Sequence, residues 1–175
     1  MKACAAALLV FIAACGQGRA IFNVDVLSFL TASDSVKGYN VLGGIGPIDS
    51  TISRSFILPP GFGSSSVDSV SATIASLLEN QTGSGSVILS VFFAKQQGWL
   101  YTGTPYLSDS SGTVTGVQTV PLGKNSVSLA DTVFNTDSLW VGIRARVTTS
   151  AGPNFSGQLR FTDIRLRIVM QDNIL

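Results

Sequence analysis

Along this chain apolar residues recur at every second position in short runs, and Gly, Pro, Asn or Asp closes each run. Phe22, Val24 and Val26 alternate with Asn23 and Asp25, the period of a strand with one face buried. Residues 38–47, with Gly43-Gly44 and Gly46-Pro47, read as a loop. Alternation resumes at Ile52, Phe56 and Leu58 and stops at Pro59-Pro60-Gly61. Residues 67–78 fit two periods: Val70, Ala72, Ile74 and Leu78 suit a strand, whereas Val67, Val70, Ile74 and Leu77 suit a helix face. The strand is favoured, because the interior Ser and Thr hydroxyls compete with helical hydrogen bonds. Residues 82–86 then turn the chain into Val87, Leu89, Val91 and Phe93, so the two runs read as a hairpin.

Four further runs, at 113–120, 126–129, 139–147 and 159–170, bring the set to about eight strands. The last run changes phase, with Leu159 and Phe161 on odd positions and Ile164, Leu166 and Ile168 on even ones. A β-bulge near Thr162-Asp163 reconciles the two halves, since one extra residue restores a common face. Residues 131–138 have room for one helical turn. The pattern predicts an all-β chain folded as an antiparallel β-sandwich, jelly-roll-like, in a single domain over residues 21–175.

Composition removes more functions than it suggests. Only 12% of the 175 residues are charged, and histidine is absent. The usual general base, the commonest metal ligand and the neutral-pH switch are therefore all missing. Both cysteines, Cys4 and Cys15, lie near the N-terminus, so the body of the chain has no disulfide and no thiolate set for a metal. No cofactor is called for. A formal net charge of +1 gives no field that would gather nucleic acid, which is not expected as a partner.

The N-terminus reads as an address. Lys2 precedes an apolar run over residues 3–15, too short for the ~20 residues that span a bilayer. Its end, Ile12-Ala13-Ala14-Cys15, resembles the lipobox of bacterial lipoproteins. The resemblance implies that residues 1–14 are a signal peptide and that Cys15 becomes the lipidated N-terminus. Residues 15–20 are then the cysteine and a short tether, placing the domain outside the cytoplasm on the cell envelope and making the membrane a partner through the lipid. The competing expectation is ordinary secretion with cleavage after Ala20, where Gly18-Arg19-Ala20 supplies small residues before the cut.

Two constellations are candidates for ligand contact. Arg144 and Arg146 fall on outward positions of one predicted strand, and Arg160, Arg165 and Arg167 on those of the last. If these strands pair, five guanidinium groups share a face suited to anionic surfaces, phosphates or acidic glycans. The plainer account is a solvated face kept charged against aggregation. Trp99, Tyr101 and Tyr106, joined by Trp140, offer a sugar-stacking platform, or simply cover the edges of the core. The segment Phe161-Thr162-Asp163-Ile164-Arg165-Leu166 is similar to the last strand of jelly-roll carbohydrate-binding modules, which implies glycan as a ligand.

Weaker signals complete the reading. Asp109-Ser110-Ser111-Gly112 is a turn whose oxygens calcium would accept, but no second carboxylate stands near it in sequence. Asn80-Gln81-Thr82 matches a glycosylation pattern that a bacterial lipoprotein rarely uses. The expected function is a non-enzymatic envelope lipoprotein acting as a binding or structural module. The alternative is a carbohydrate-active hydrolase resting on carboxylates such as Asp109, Asp131, Asp137 or Asp163, because Glu79 is the sole glutamate.

Overall fold

Period-two alternation is realised as strands over about two thirds of the described residues. A computed structural model describes residues 18–57, 66–129 and 131–172. Within them run β1 (Gly18–Asp25), β2 (Val36–Val41), β3 (Ile48–Ile57), β4 (Ser66–Thr82) and β5 (Ser84–Ala94). There follow β6 (Leu107–Ser110), β7 (Val114–Thr115), β8 (Gln118–Leu129), β9 (Ser138–Thr149) and β10 (Phe155–Asp172). The first sheet has β10 and β4 at its centre and β8 at one edge, while β1 and β2 lie end to end along the other side of β10. The second sheet runs β3, β9, β5, with β6 and β7 sharing the edge beyond β5.

The pairing is nested: the first strands with the last, β3 with β9, β4 with β8, and β5 with β6. Nested antiparallel pairing split over two sheets is the jelly-roll form of the β-sandwich. Inward residues of both sheets, among them Leu78, Leu89, Leu139, Phe155, Leu159 and Ile168, form the buried core.

The strand reading of residues 67–78 holds. From Val70 onward the buried positions of β4 are Val70, Ala72, Ile74, Ser76, Leu78 and Asn80, a period of two, and a register shift opposite Val169 and Met170 brings Val67 inward as well. The bulge in β10 falls where the phase change puts it: Phe161 lies opposite Ser76 and Asp163 opposite Ala75, leaving Thr162 as the extra residue. Leu159, Phe161, Ile164 and Leu166 are consequently all buried. Residues 132–134 form a single helical turn, as the mixed loop suggested.

Several expectations are corrected. The runs on either side of residue 83 are not a hairpin: β4 belongs to the first sheet and β5 to the second, so the chain turns a corner between layers. Gly83 makes the corner with φ +76°, and a Cβ there would lie 2.3 Å from the carbonyl oxygen of Asn154. Residues 38–41, expected as loop, belong to β2, whose Tyr39 ring packs 4.9 Å from that of Phe155. The breakers from Gly43 onward end that strand without preventing it.

The runs at 113–120 and 126–129 do not stand as two separate strands. Most of this stretch is the continuous β8, preceded by the two-residue β7. Pro121 interrupts no ladder, because β8 is an edge strand. The short edge strand β6 was missed. Finally, β1 extends back to Gly18, so residues 18–20 are paired with 170–172 and do not form a tether.

Candidate functional site

The outer face of the first sheet is built from the polar halves of four alternating strands. Register aligns their side chains in rungs. Asp25 of β1 lies opposite Arg165 of β10, Arg165 opposite Thr73 of β4, and Thr73 opposite Asn125 of β8. One pleat along, Asn23, Arg167 and Ser71 form a parallel rung. These seven residues, with Asp163, line a groove of about 530 Å³. Apolar partners of the same strands, such as Leu166 and Ile168, point into the core and fix which face the polar set occupies.

Charge in the groove is balanced. Two guanidinium groups, Arg165 and Arg167, face two carboxylates, Asp25 and Asp163. Arg165 Nε donates to both oxygens of Asp163, at 2.8 and 2.9 Å. That bond, followed by the charges of Asp163 and Asp25, raises the Arg165 pKa further above its usual value. Asn23, Asn125, Ser71 and Thr73 add amide and hydroxyl groups that both donate and accept.

The five arginines do not share a face. β9 and β10 lie in different sheets, so Arg144 and Arg146 stand on one outer surface and Arg160, Arg165 and Arg167 on the opposite one. Alternation identified the outward positions correctly but carries no information about which sheet a strand joins. Most of the group is also engaged. Arg146 holds Asp49 through two bonds of 2.8 Å, which lowers the Asp49 pKa. Arg160 reaches Glu79 at 3.2 Å, and Glu79 is held below the usual carboxylate range first by Gln158 and then by Arg160. Arg144 lies 4.8 Å over the Phe92 ring.

The aromatic platform does not assemble either. Residues 95–106, between β5 and β6, fold across the outer face of the second sheet. Leu100 is buried there with Phe92 and Ala94, and Tyr101 and Trp140 pack around them. Tyr101 donates its hydroxyl to the Ile52 carbonyl at 2.7 Å, and burial raises its pKa. Tyr106 packs its ring against Phe93 and Phe134 and donates to Asp131; burial and that carboxylate push its pKa up. Trp99 alone of the four is exposed, at 63%. It borders a cleft of about 460 Å³ with Tyr106 and Asp131.

The remaining candidates have structural partners. Asp109 accepts the Gly123 amide at 2.8 Å, bracing the two sheets where β6 meets β8. Asp131 accepts the Val133 amide at 2.8 Å and so caps the helical turn. Asn80 is buried, accepts the Tyr39 hydroxyl at 2.9 Å and donates to the Gly116 carbonyl at 2.7 Å, so its side chain ties the corner together. Among the described residues no cluster of three acidic, cysteine or histidine side chains is placed to hold a metal. Cys15 and the segment expected to be a leader lie outside the described residues.

Missed from sequence were Asn23, Asp25, Ser71, Thr73 and Asn125 as one groove. Their signal was present as outward positions of alternating strands; the strand order needed to unite them was not.

No protein-family model matches the chain, and no curated protein matches it. Solved structures with similar architecture include a chain of infectious bursal disease virus, Gx strain, at TM-score 0.46 and 8% identity, covering 91% of this chain. This chain spans 37% of the length of that one. A carbohydrate-binding module in complex with β-1,4-galactotriose aligns at TM-score 0.34 and 12% identity over 86% of each chain. PirA aligns at TM-score 0.36 and 12% identity, over 75% of this chain and 97% of its own.

Proposed function

We propose that this chain is an envelope lipoprotein whose β-sandwich binds a neutral saccharide in the groove on the first sheet, without catalysis. The observation that carries the ligand class is the charge balance of the groove. Its two guanidiniums are matched by two carboxylates, so an anion gains little there. A polyol suits the array better, because each sugar hydroxyl donates to one group and accepts from another. The groove's open form and its four contributing strands suit an extended chain of sugar rings.

The anchor rests on Ile12-Ala13-Ala14-Cys15. The position of β1 supports it over the secretion alternative. Cleavage after Ala20 would remove Gly18, Arg19 and Ala20, which pair with Asp172, Gln171 and Met170, and would remove the ion pair of Arg19 with Asp68. Cleavage before Cys15 leaves β1 whole. Two residues, Gly16 and Gln17, then separate the lipid from the first rung.

The test is a neutral-oligosaccharide array probed with the full mature chain, followed by calorimetry on the best ligand. Arg167→Ala and Asn125→Ala should each weaken binding about tenfold, the loss of one charge-assisted or one well-placed hydrogen bond at ~1.5 kcal/mol. Absence of any saccharide ligand, or a ligand indifferent to both changes, overturns the reading. Intact mass of the membrane-bound chain tests the anchor separately, since a product beginning at Ile21 would rule out the lipid. The carboxylates Asp25 and Asp163 share the groove, so the bound glycan should also be assayed for cleavage. New reducing ends would establish the hydrolase instead.

A further inference from the structure

The two long sides of the sandwich are closed to different degrees. On one side β6 and β8 are braced by the Gly123 amide on Asp109 and by Lys124 Nζ on the Ser108 carbonyl, at 2.8 and 3.2 Å. On the other, β1 of the first sheet faces β3 of the second. There the upper part is bridged by the helical turn Ala32–Ser35, whose Asp34 pairs with Lys37 and with Arg54 of β3. The lower part, between Ile21 to Asp25 of β1 and Ser55 to Ile57 of β3, opens into a groove of about 810 Å³.

This groove is apolar where the other is polar. Ile21, Phe29 and Ile57 line it and are 51%, 59% and 90% exposed. The Phe29 ring meets Phe56 edge-on at 5.2 Å. Among the described residues of its lining Asp25 alone is ionisable, at the end of β1 away from Gly18. Single exposed apolar residues are ordinary on protein surfaces, but three large ones along one groove mark a contact surface.

Position decides what it contacts. Ile21 is the fourth residue of β1, six along the chain from Cys15, so at most ~20 Å of chain separates it from the anchor. The two residues between Cys15 and β1 span ~7 Å at most. A diacylglycerol on Cys15 therefore holds this end of the domain against the lipid, with no length of chain to lift it clear. From this geometry we infer that the β1–β3 edge of the sandwich rests on the membrane, with Ile21, Phe29 and Ile57 dipping to the boundary between headgroups and acyl chains. The inference rests on the lipoprotein reading of Cys15. It also orients the domain: Asn23 and Asp25 belong to the same strand, so the saccharide groove opens beside the bilayer, not away from it.

The full chain supplies its own probe site. With Cys4 in the leader and Cys15 acylated, no thiol remains in the mature protein, and Ile57→Cys introduces one at a 90% exposed position where packing is undisturbed. A nitroxide attached there, in phosphatidylcholine vesicles carrying the protein, should collide severalfold less with a water-soluble nickel chelate and more with oxygen. The same label at Ala151→Cys, exposed beyond β9 at the opposite end of the sandwich, should report free water.

If intact mass shows acylated Cys15 and position 57 is as open to the chelate as position 151, the resting edge is wrong while the anchor stands. If the chain proves unacylated, it is mixed with the same vesicles. Shielding at 57 then keeps the edge and discards the anchor, and no shielding discards the edge too.

Discussion

The outer faces of the two sheets begin from the same code and end as different surfaces. On the first sheet the middle of β10 alternates, Arg165 and Arg167 outward against Ile164, Leu166 and Ile168 inward, and the face stays open as a polar groove. On the second sheet β5 loses its alternation: Val91, Phe92, Phe93 and Ala94 are all buried. An unbroken apolar run means cover on both faces, and residues 95–106 provide the outer cover with Leu100. Gly142, opposite Phe92 on β9, makes room: a Cβ there would lie 2.7 Å from Leu100 Cδ2 and 2.9 Å from Tyr101 Cε1. A sheet face stays open to solvent only where no neighbouring loop has already covered it.

The contrast is most severely tested at Leu100. Leu100→Ala should cost about 2 to 5 kcal/mol in urea unfolding, the range for emptying a buried leucine site, because the cover loses its anchor. Thr73→Ala, on the open face, should stay within about 0.5 kcal/mol of the parent. Equal losses at the two positions would mean that the covered and open faces are not different in kind.

Gly142→Ala should follow at about 1 to 3 kcal/mol, the range for overpacking. Its Trp99 emission should change as the cover is displaced, while saccharide affinity at the first sheet stays constant. A stable variant with unchanged emission would show that the loop does not lie close over β9.

High pH gives a subtler comparison, because burial pushes all three tyrosines above the ordinary phenol value of 10.0. Tyr39, behind the open sheet, is pushed by burial up to about 12. Folded pKa values above the unfolded one give stability that is complete below pH 10 and lost as the pH rises through the folded values. Phenolate absorbance of the native protein should therefore lag that of the urea-unfolded chain. Coincident curves would place the rings in water.

The smallest effect lies on the acid side. Asp49 and Glu79 are held below their unfolded values of 3.8 and 4.5, so what they contribute is present above those values and lost as the pH falls through the folded ones. Both pairs are exposed, and solvent screens them heavily. Asp49→Asn should flatten the acid limb of the stability curve only slightly; a large change would mean the Arg146 pair is shielded from water.

These faces were unequally legible. The strand class, the inward residues and the bulge at Thr162 follow from local alternation, which needs no knowledge of neighbours. The corner at Gly83 and the separation of Arg144 from Arg165 depend on which sheet each strand joins, and alternation is the same in either sheet. Trp99, Tyr101 and Tyr106 looked equivalent because a loop sequence does not say which ring turns inward. The one local clue was the apolar run 91–94, which signals double-sided burial, and its partner Gly142.

The nesting of the pairs also governs when the molecule comes into being. β10 fills the place between β1 and β4, and Gly18 finds its partner in Asp172. Until the last strand arrives, the first sheet has a gap at its centre, and contacts that bridge so much chain form slowly because loop closure precedes any gain. A chain lacking its final segment therefore cannot complete the first sheet, because β1 and β4 have no partner to join them. Completion of the fold is timed by arrival of the C-terminal strand.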